Sequence, residues 1–408
     1  MKDSVLRSLR TRQAAVAAIL GIASAIGVQN AYAIDPIQPD YVVRSRPENV
    51  VWGGLPIGLK PVMTVKPGTI VRVESMTQQG ATGGENPVDY YGHFGVQPSE
   101  VLQDMVDFWS SRTGRANYGG GHILTGPVYI AGAEPGDTLE IQILNYELRV
   151  PYGINSTSPT SGVFATTYPG WRTGDLDLDI PAALPGAPGG LAPGVRQQFY
   201  RTANVDGRDV ALFSDDIHVP LQPFAGTIGL APATGVFIGN TPTTPPPASG
   251  VQMSTQPGPF GGNMDNRDLT IGTTLYLPVF QKGGQFFVGD THSVQGDGEV
   301  SGTAIEHSLT GTFRFIVHHG KKIEWPRAEN AEFYILMGID HDLDRAMKIA
   351  VDQVIKFLVQ EKGLTVAKAY SLASIGVNFV VSEVVDRTQV VSGKIPKSLF
   401  LNKTAALK

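Results

Sequence analysis

Two stretches of the same form limit what this chain can fold into. Pro61 to Glu74 reads PVMTVKPGTIVRVE, and Leu124 to Leu144 reads LTGPVYIAGAEPGDTLEIQIL. In each, an apolar run meets a Pro-Gly step and restarts with a period of two. Ile70, Arg72 and Glu74 alternate with Val71 and Val73; Leu139, Ile141 and Ile143 alternate with Glu140 and Gln142. Period two is the signature of a strand with one buried face, and Pro-Gly marks the turn between strands. The echo predicts two similar hairpins in a mainly β protein with a β-sandwich-like body. A chain with 48 Gly and 29 Pro in 408 residues favours many turns and short strands over long helices.

Further strands are expected at Gly226–Pro232, Thr273–Phe280, Gln285–Val288, Thr303–Val317, Phe333–Met337 and Val377–Val385. A short helix is expected over Ser99–Ser110 with Ser99 as N-cap. The one long helix falls late, over Asp342–Lys362, where Leu343, Ala346, Met347, Ala350, Val351, Val354 and Leu358 recur at helical spacing. Gly363 stops it, and Thr365 starts a second helix reaching about Ser374. The Pro- and Gly-rich segments 150–220 and 241–262 read as long loops. The layout is therefore a β-rich body over 34–325 and a small C-terminal α/β section over 326–408, packed on the body.

Residues 1–33 read as a secretory signal peptide. Lys2, Arg7, Arg10 and Arg12 precede a small-residue apolar run, Ala14–Val28, and Ala31-Tyr32-Ala33 has the form of a cleavage site. Sec-type export is expected, with cleavage after Ala33 and a periplasmic or secreted mature protein without membrane attachment. The net charge of −5, with no basic run, excludes a nucleic-acid footprint. The chain has no cysteine. That excludes disulfides, a thiol nucleophile and any thiolate metal site.

The stretch densest in chemistry is Gly289–Glu306, GDTHSVQGDGEVSGTAIE. Asp290 and His292 lie two apart, so a strand would carry both on one face. Together with LTGPVYIAGAEPGDTLEIQIL, GTIGLAP at Gly226–Pro232, GGNMDNRD at Gly261–Asp268, LYLPVF at Leu275–Phe280 and the tail from Gly338 to Ser398, it resembles the acetamidase/formamidase family. The resemblance covers about Pro61 to Phe400, interrupted by the loops. It implies a β-rich fold, hydrolysis of short linear amides such as formamide or acetamide to carboxylate and ammonia, and a homo-oligomer. The chain departs from the family pattern at Ser75–Gly80, where an aspartate is usual, and at Asn378.

Amide hydrolysis needs an activated nucleophile, a stabilised oxyanion and an acid for the leaving nitrogen. With no cysteine and no G-x-S-x-G elbow, water remains, and a divalent metal is an economical way to activate it. Asp290, His292 and Asp265 are the candidate ligands. Their mixed chemistry suits zinc, with calcium or manganese as the alternative if carboxylates dominate. Glu306 and Glu299 are candidates for general base and acid, and His122 for proton transfer or ligation. Gln295 and Asn263 are candidates for holding the substrate amide. Each has a plainer reading: Glu306 sits on the polar face of a predicted strand, and Asp265 and Asp297 suit turns. His318 and His319 read as surface residues, and His341 as part of a helix start. Two other functions remain open: a silent β-sandwich binding protein, or an amidase for a larger amide.

Overall fold

The computed structural model describes residues 37–158, 161–163, 196–233 and 251–401. In chain order its strands begin with β1 (Tyr41–Val43), β2 (Val50–Trp52), β3 (Gly54–Pro56), β4 (Met63–Val65) and β5 (Ile70–Glu74). Helices α1 (Pro87–Gly92) and α2 (Gln103–Ser111) follow, then β6 (Ile123–Ile130), β7 (Thr138–Leu148), β8 (Tyr152–Thr157), β9 (Arg196–Val205), β10 (Arg208–Ser214) and β11 (Ile217–Pro220). The central run is β12 (Phe224–Leu230), β13 (Val251–Met253), β14 (Gly261–Asn263), β15 (Thr274–Pro278), β16 (Phe286–Val294), β17 (Ile305–Glu306) and β18 (Leu309–His318). The tail holds β19 (Arg327–Glu329), β20 (Phe333–Asp340), α3 (Leu343–Gln360), α4 (Val366–Gly376), β21 (Asn378–Glu383) and β22 (Gln389–Pro396).

The strands form two large sheets. One runs β1-β5-β18-β7-β15-β19-β20-β22-β21; the other runs β11-β10-β9-β8-β17-β16-β12-β14, with β6 pairing β16, β2 and β4. Their inner faces share one core. Val128, Ile228 and Phe286 from the second sheet lie in the same cluster as Val71, Ile141, Leu277 and Phe313 from the first. Phe286 packs on Phe313 and Phe315 with ring centroids 5.3 and 4.9 Å apart. Each such side chain, buried from water, contributes roughly 1.5–3 kcal/mol. The fold is thus mainly β, a sandwich, as the alternation predicts.

The two Pro-Gly units are not hairpins. β4 pairs β6 in parallel in one sheet, while β5 and β7 both flank β18 in the other. Each unit is an arch that carries the chain across the core. The physical reason is that the apolar sides of β6 (Val128, Ile130) and β7 (Leu139, Ile141, Ile143) both enter the inter-sheet core. They face each other across it instead of lying side by side. The resemblance between the units survives at this level, since both arches make the same crossing.

The 150–220 segment also differs from expectation. β8 pairs β9, β9 pairs β10 and β10 pairs β11, extending the second sheet; residues 164–195 lie outside the described part. In the 241–262 segment, β13 pairs β3 and β14 pairs β12. Ser99 caps no α-helix: it sits in a 3-10 turn, Pro98–Glu100, and α2 starts after Leu102. The turn closes on itself because the Glu100 carboxylate accepts from the Gln97 amide at 3.0 Å.

The late helices match their spacing. Asp342 caps α3 by accepting from Arg345 N at 2.9 Å, and Thr365 caps α4. Ala346, Ala350, Val354 and Leu358 are the buried stripe of α3. α3 lies flush on β20 at Gly338, where a Cβ would meet Ala346 O at 2.2 Å. Among the described residues, no helix is long and apolar enough to cross a membrane. The expected signal peptide lies outside the described residues.

Candidate functional site

The β16 strand delivers the site. Its first half, Phe286 and Val288, is core; its second half carries Asp290 and His292, both buried. Antiparallel register sets Glu306 of β17 directly opposite His292. On the other side β12 runs close: a Cβ at Gly226 would meet Asp265 Oδ1 at 2.2 Å and His292 Cε1 at 2.8 Å. Glycine is what lets the backbone approach there. Phe224, also from β12, packs edge-on against the His292 ring at 5.1 Å.

The carboxylates converge on one imidazole. His292 Nε2 lies 3.2 Å from Glu306 Oε1 and 3.6 Å from Asp290 Oδ1, and its Nδ1 lies 3.8 Å from Asp265 Oδ1. Neither ring nitrogen makes an aligned hydrogen bond, and neither does Asp265 Oδ1, although all are buried. His122 Nε2 stands 3.6 Å from Asp290 Oδ2, and its Nδ1 faces the Ser254 carbonyl at 3.2 Å. A carbonyl only accepts, so Nδ1 carries the proton in that contact.

The backbone is strained at the same place. Asp265, Asp290 and Glu299 have φ of 43°, 48° and 46°, three of the six non-glycine residues on the positive side among the described residues. Non-glycine residues held there cost on the order of 1–3 kcal/mol each and gather at functional sites.

Three residues outside the sequence candidates complete the cluster. Gln78 Nε2 donates to Asp290 Oδ1 at 3.0 Å and to Glu306 Oε2 at 2.7 Å, bridging the two acids. Asp386 accepts from Asn263 Nδ2 at 2.5 Å, and the neighbouring Glu383 is fully buried, with Oε2 unpartnered. Gln78 falls inside the very stretch, Ser75–Gly80, where the family pattern is broken, which is the one signal that could have found it. Asn263 is not free to hold a substrate: its amide nitrogen serves Asp265 (2.6 Å) and Asp386, and its oxygen accepts from Thr227. Gln295 donates to the Asp265 carbonyl at 2.7 Å, while its Oε1 is buried and unpartnered. Glu306 is not on a solvated face, because β17 lies inside the sheet between β8 and β16. Asp265 is likewise buried rather than a surface turn former. His318 and His319 pair with Glu140 and Asp137 on another part of the molecule, and His341 pairs with Asp340 before α3.

The electrostatics are those of excess negative charge. Burial drives the Asp265, Glu299 and Glu383 carboxyls well above the usual range and pushes Asp386 up to about 6. Burial raises Glu306 too, against the pull of His292. Asp290 goes the other way: burial opposes ionisation, but His122 and His292 facing it hold its carboxyl down. His292 is held well above its usual range, because Glu306 and Asp290 outweigh its burial. Among the described residues, no lysine or arginine pairs with these acids; the basic side chains that face them are His122 and His292. Buried charge without a partner is strongly unfavourable, and a bound cation inverts that logic.

Two overlapping triads fit such a cation: Asp265, His292 and Glu299, and Asp290, His292 and Glu306. Within each, the ligand atoms lie within 4.8 Å of one another. The unpartnered oxygen and ring nitrogens supply the donors, and oxygen with imidazole suits a divalent ion of the zinc type.

Residues 248–402 match the acetamidase/formamidase family. A formamidase of Methylophilus methylotrophus is 26% identical over 281 residues, 60% of this chain and 58% of its own length. An acetamidase of Mycolicibacterium smegmatis is 30% identical over 210 residues, 44% of this chain and 49% of its own. The chain thus spans about half the length of the relatives it matches. The crystal structure of an acetamidase from Yersinia enterocolitica superposes with a TM-score of 0.64 at 26% identity, covering 90% of this chain and 95% of that one. The chain resembles the acetamidase/formamidase family, in sequence through its C-terminal part and in fold over most of its length.

Proposed function

We propose that this protein hydrolyses the carbon–nitrogen bond of linear primary carboxamides, of which formamide and acetamide are the smallest, to a carboxylate and ammonia. The observation that carries the reading is the buried His292, ringed by Asp265, Asp290 and Glu306 at 3.2–3.8 Å with no aligned hydrogen bond to any of them. A side-chain set that satisfied itself would have closed those contacts. Asp290, His292 and Glu306, gathered at Nε2, would hold a divalent cation, zinc in preference to calcium or manganese, with Asp265 on the Nδ1 side of the ring. Such an ion, when bound, would lower the pKa of water towards about 7 and polarise a carbonyl.

The remaining steps belong to side chains. Gln78 fixes Asp290 and Glu306 relative to each other, and Asn263 fixes Asp265 and Asp386. Glu299, outside that set and within reach of Asp265 and His292, relays a proton from the added water to the departing nitrogen. Gln295 Oε1 accepts from the substrate N–H, and His122 steadies the charge on Asp290. The family resemblance supports the reaction class and a homo-oligomer. The basic start, apolar run and Ala-Tyr-Ala of residues 1–33 support export to the periplasm or beyond.

The test is ammonia release by the mature protein before and after chelation. Turnover that chelation abolishes and zinc restores is expected. Undiminished turnover after exhaustive chelation, with the metal content measured at zero, would sink the metal and keep the amidase. Absence of ammonia from any amide, in folded protein loaded with zinc, would sink the amidase.

A further inference from the structure

Glu299 and Gln295 face two ways. Their polar ends reach the acid cluster, and both also line an open groove of about 530 Å³ between the β10–β11 hairpin and the segment after β16. The groove wall is apolar: Tyr200, Phe213, Leu221, Val294, Val300 and Ile305. Tyr200 and Phe213 stack at 5.4 Å with their planes 17° apart. Phe213 and Val300 are 52% and 58% exposed, so the wall leaves large apolar surface to solvent. Of the polar groups beside it, Asn155 donates to the Thr303 and Ala304 carbonyls, Gln222 and Arg267 hold each other, and the exposed Asp297 also lines the groove. Gln295 lines the groove as a residue, and its Oε1 lies buried and unpartnered beneath it.

A volume of this size lies in the range of roughly 300–1,000 Å³ typical of sites for drug-sized ligands, with apolar walls and a few placed polar groups. Acetamide brings one methyl group and would leave the wall wet. We infer that the groove receives the acyl substituent of the substrate, a primary carboxamide bearing an aromatic or branched apolar group. The carboxamide sits at Glu299 and Gln295, and its substituent lies against Tyr200 and Phe213. This rests on the amide-hydrolase reading and specifies its substrate class. The chemistry is unchanged: water adds its oxygen to the carbonyl carbon, the carbon–nitrogen bond breaks, and the nitrogen leaves as ammonia with the proton that the water gave up.

The experiment compares kcat/KM for acetamide and 4-phenylbutanamide in zinc-loaded full-chain protein, wild type and Phe213→Ala. Phe213 is on an exposed hairpin, and a thermal melt checks each variant. Wild type is expected to prefer the phenyl amide by about tenfold or more. Phe213→Ala should lose about tenfold on it while acetamide stays within about twofold, and Phe213→Leu should recover most of the loss. A preference for acetamide, or an equal drop on both substrates, overturns the groove assignment and leaves the amidase standing. Ammonia from neither substrate overturns both.

Discussion

Two of the places where histidines meet carboxylates among the described residues are built in opposite ways. On the outer set, at the β6–β7 arch, every contact closes: His318 meets Glu140 at 2.6 Å and His319 meets Asp137 at 3.0 Å. Asp137 also accepts from the backbone amides of Gly320 and Glu134, at 2.9 and 3.0 Å. Water reaches the histidines, which are 30% and 70% exposed. On the inner set, around His292, the partners stand 3.2–3.8 Å away and unaligned, in the dry interior and on strained backbone. The outer set is complete as it stands and serves the turn. The inner set leaves both nitrogens of its ring without an aligned partner, which is why it is read as a site although it has the same residue types.

That contrast can be broken most directly by charge removal. Asp290→Asn keeps the shape and should lower ammonia release on the order of 100-fold or more; Glu140→Gln should leave it within about twofold. Comparable losses from both would erase the distinction. Next is the response to a cation without any turnover. Zinc at about 100 times its Kd should stabilise the wild type by about 2.7 kcal/mol in a thermal melt. His292→Ala should lose that response, and His318→Ala should keep it. Third, Gly226→Ala places a methyl between Asp265 and His292 and should cost about 1–3 kcal/mol of stability, with the zinc response lost as well.

The smallest effect belongs to the outer set. Asp137→Asn should cost about 1 kcal/mol, measured by denaturant unfolding. Burial favours the protonated Asp137, but the amides of Gly320 and Glu134 and the His319 ring outweigh it, and its carboxyl titrates below the usual range. A depressed carboxyl stabilises the fold above its ordinary pKa of about 3.9 and loses that contribution as pH falls through the lowered value. The gap between wild type and Asp137→Asn should therefore stay constant from pH 7 to about 5 and narrow below about 4.

What was legible in the sequence follows from range. Period-two runs revealed β5 and β7, short apolar runs revealed β12 and the start of β16, and period-3.6 spacing revealed α3, because all are local consequences of buried faces. An arch and a hairpin have the same local signature, Pro-Gly between two alternating strands; they differ in which distant strand each half pairs with. β9 escaped notice because RQQFYRTANV is half-exposed and has no clean alternation. In the site, the Asp290–His292 spacing is visible because a strand sets it. Glu306 looked solvated because alternation says which residues share a face, and not whether that face meets water. Gln78 and Asp386 could not be found by spacing, since each reaches the site from a different part of the chain.

Those separations have a consequence for how the protein matures. Gln78 touches Glu306 across 228 residues, and Asn263 touches Asp386 across 123. An unfolded chain offers an ion little more than the single pair Asp290 and His292, so capture cannot template early folding as it does in a small zinc finger. Contacts of such long range close late, after the loop entropy has been overcome by the sheets themselves. Uptake of the proposed ion should then arrive as the last event of folding and serve as its readout, and an Asp386→Ala chain would reach the sandwich without a finished centre.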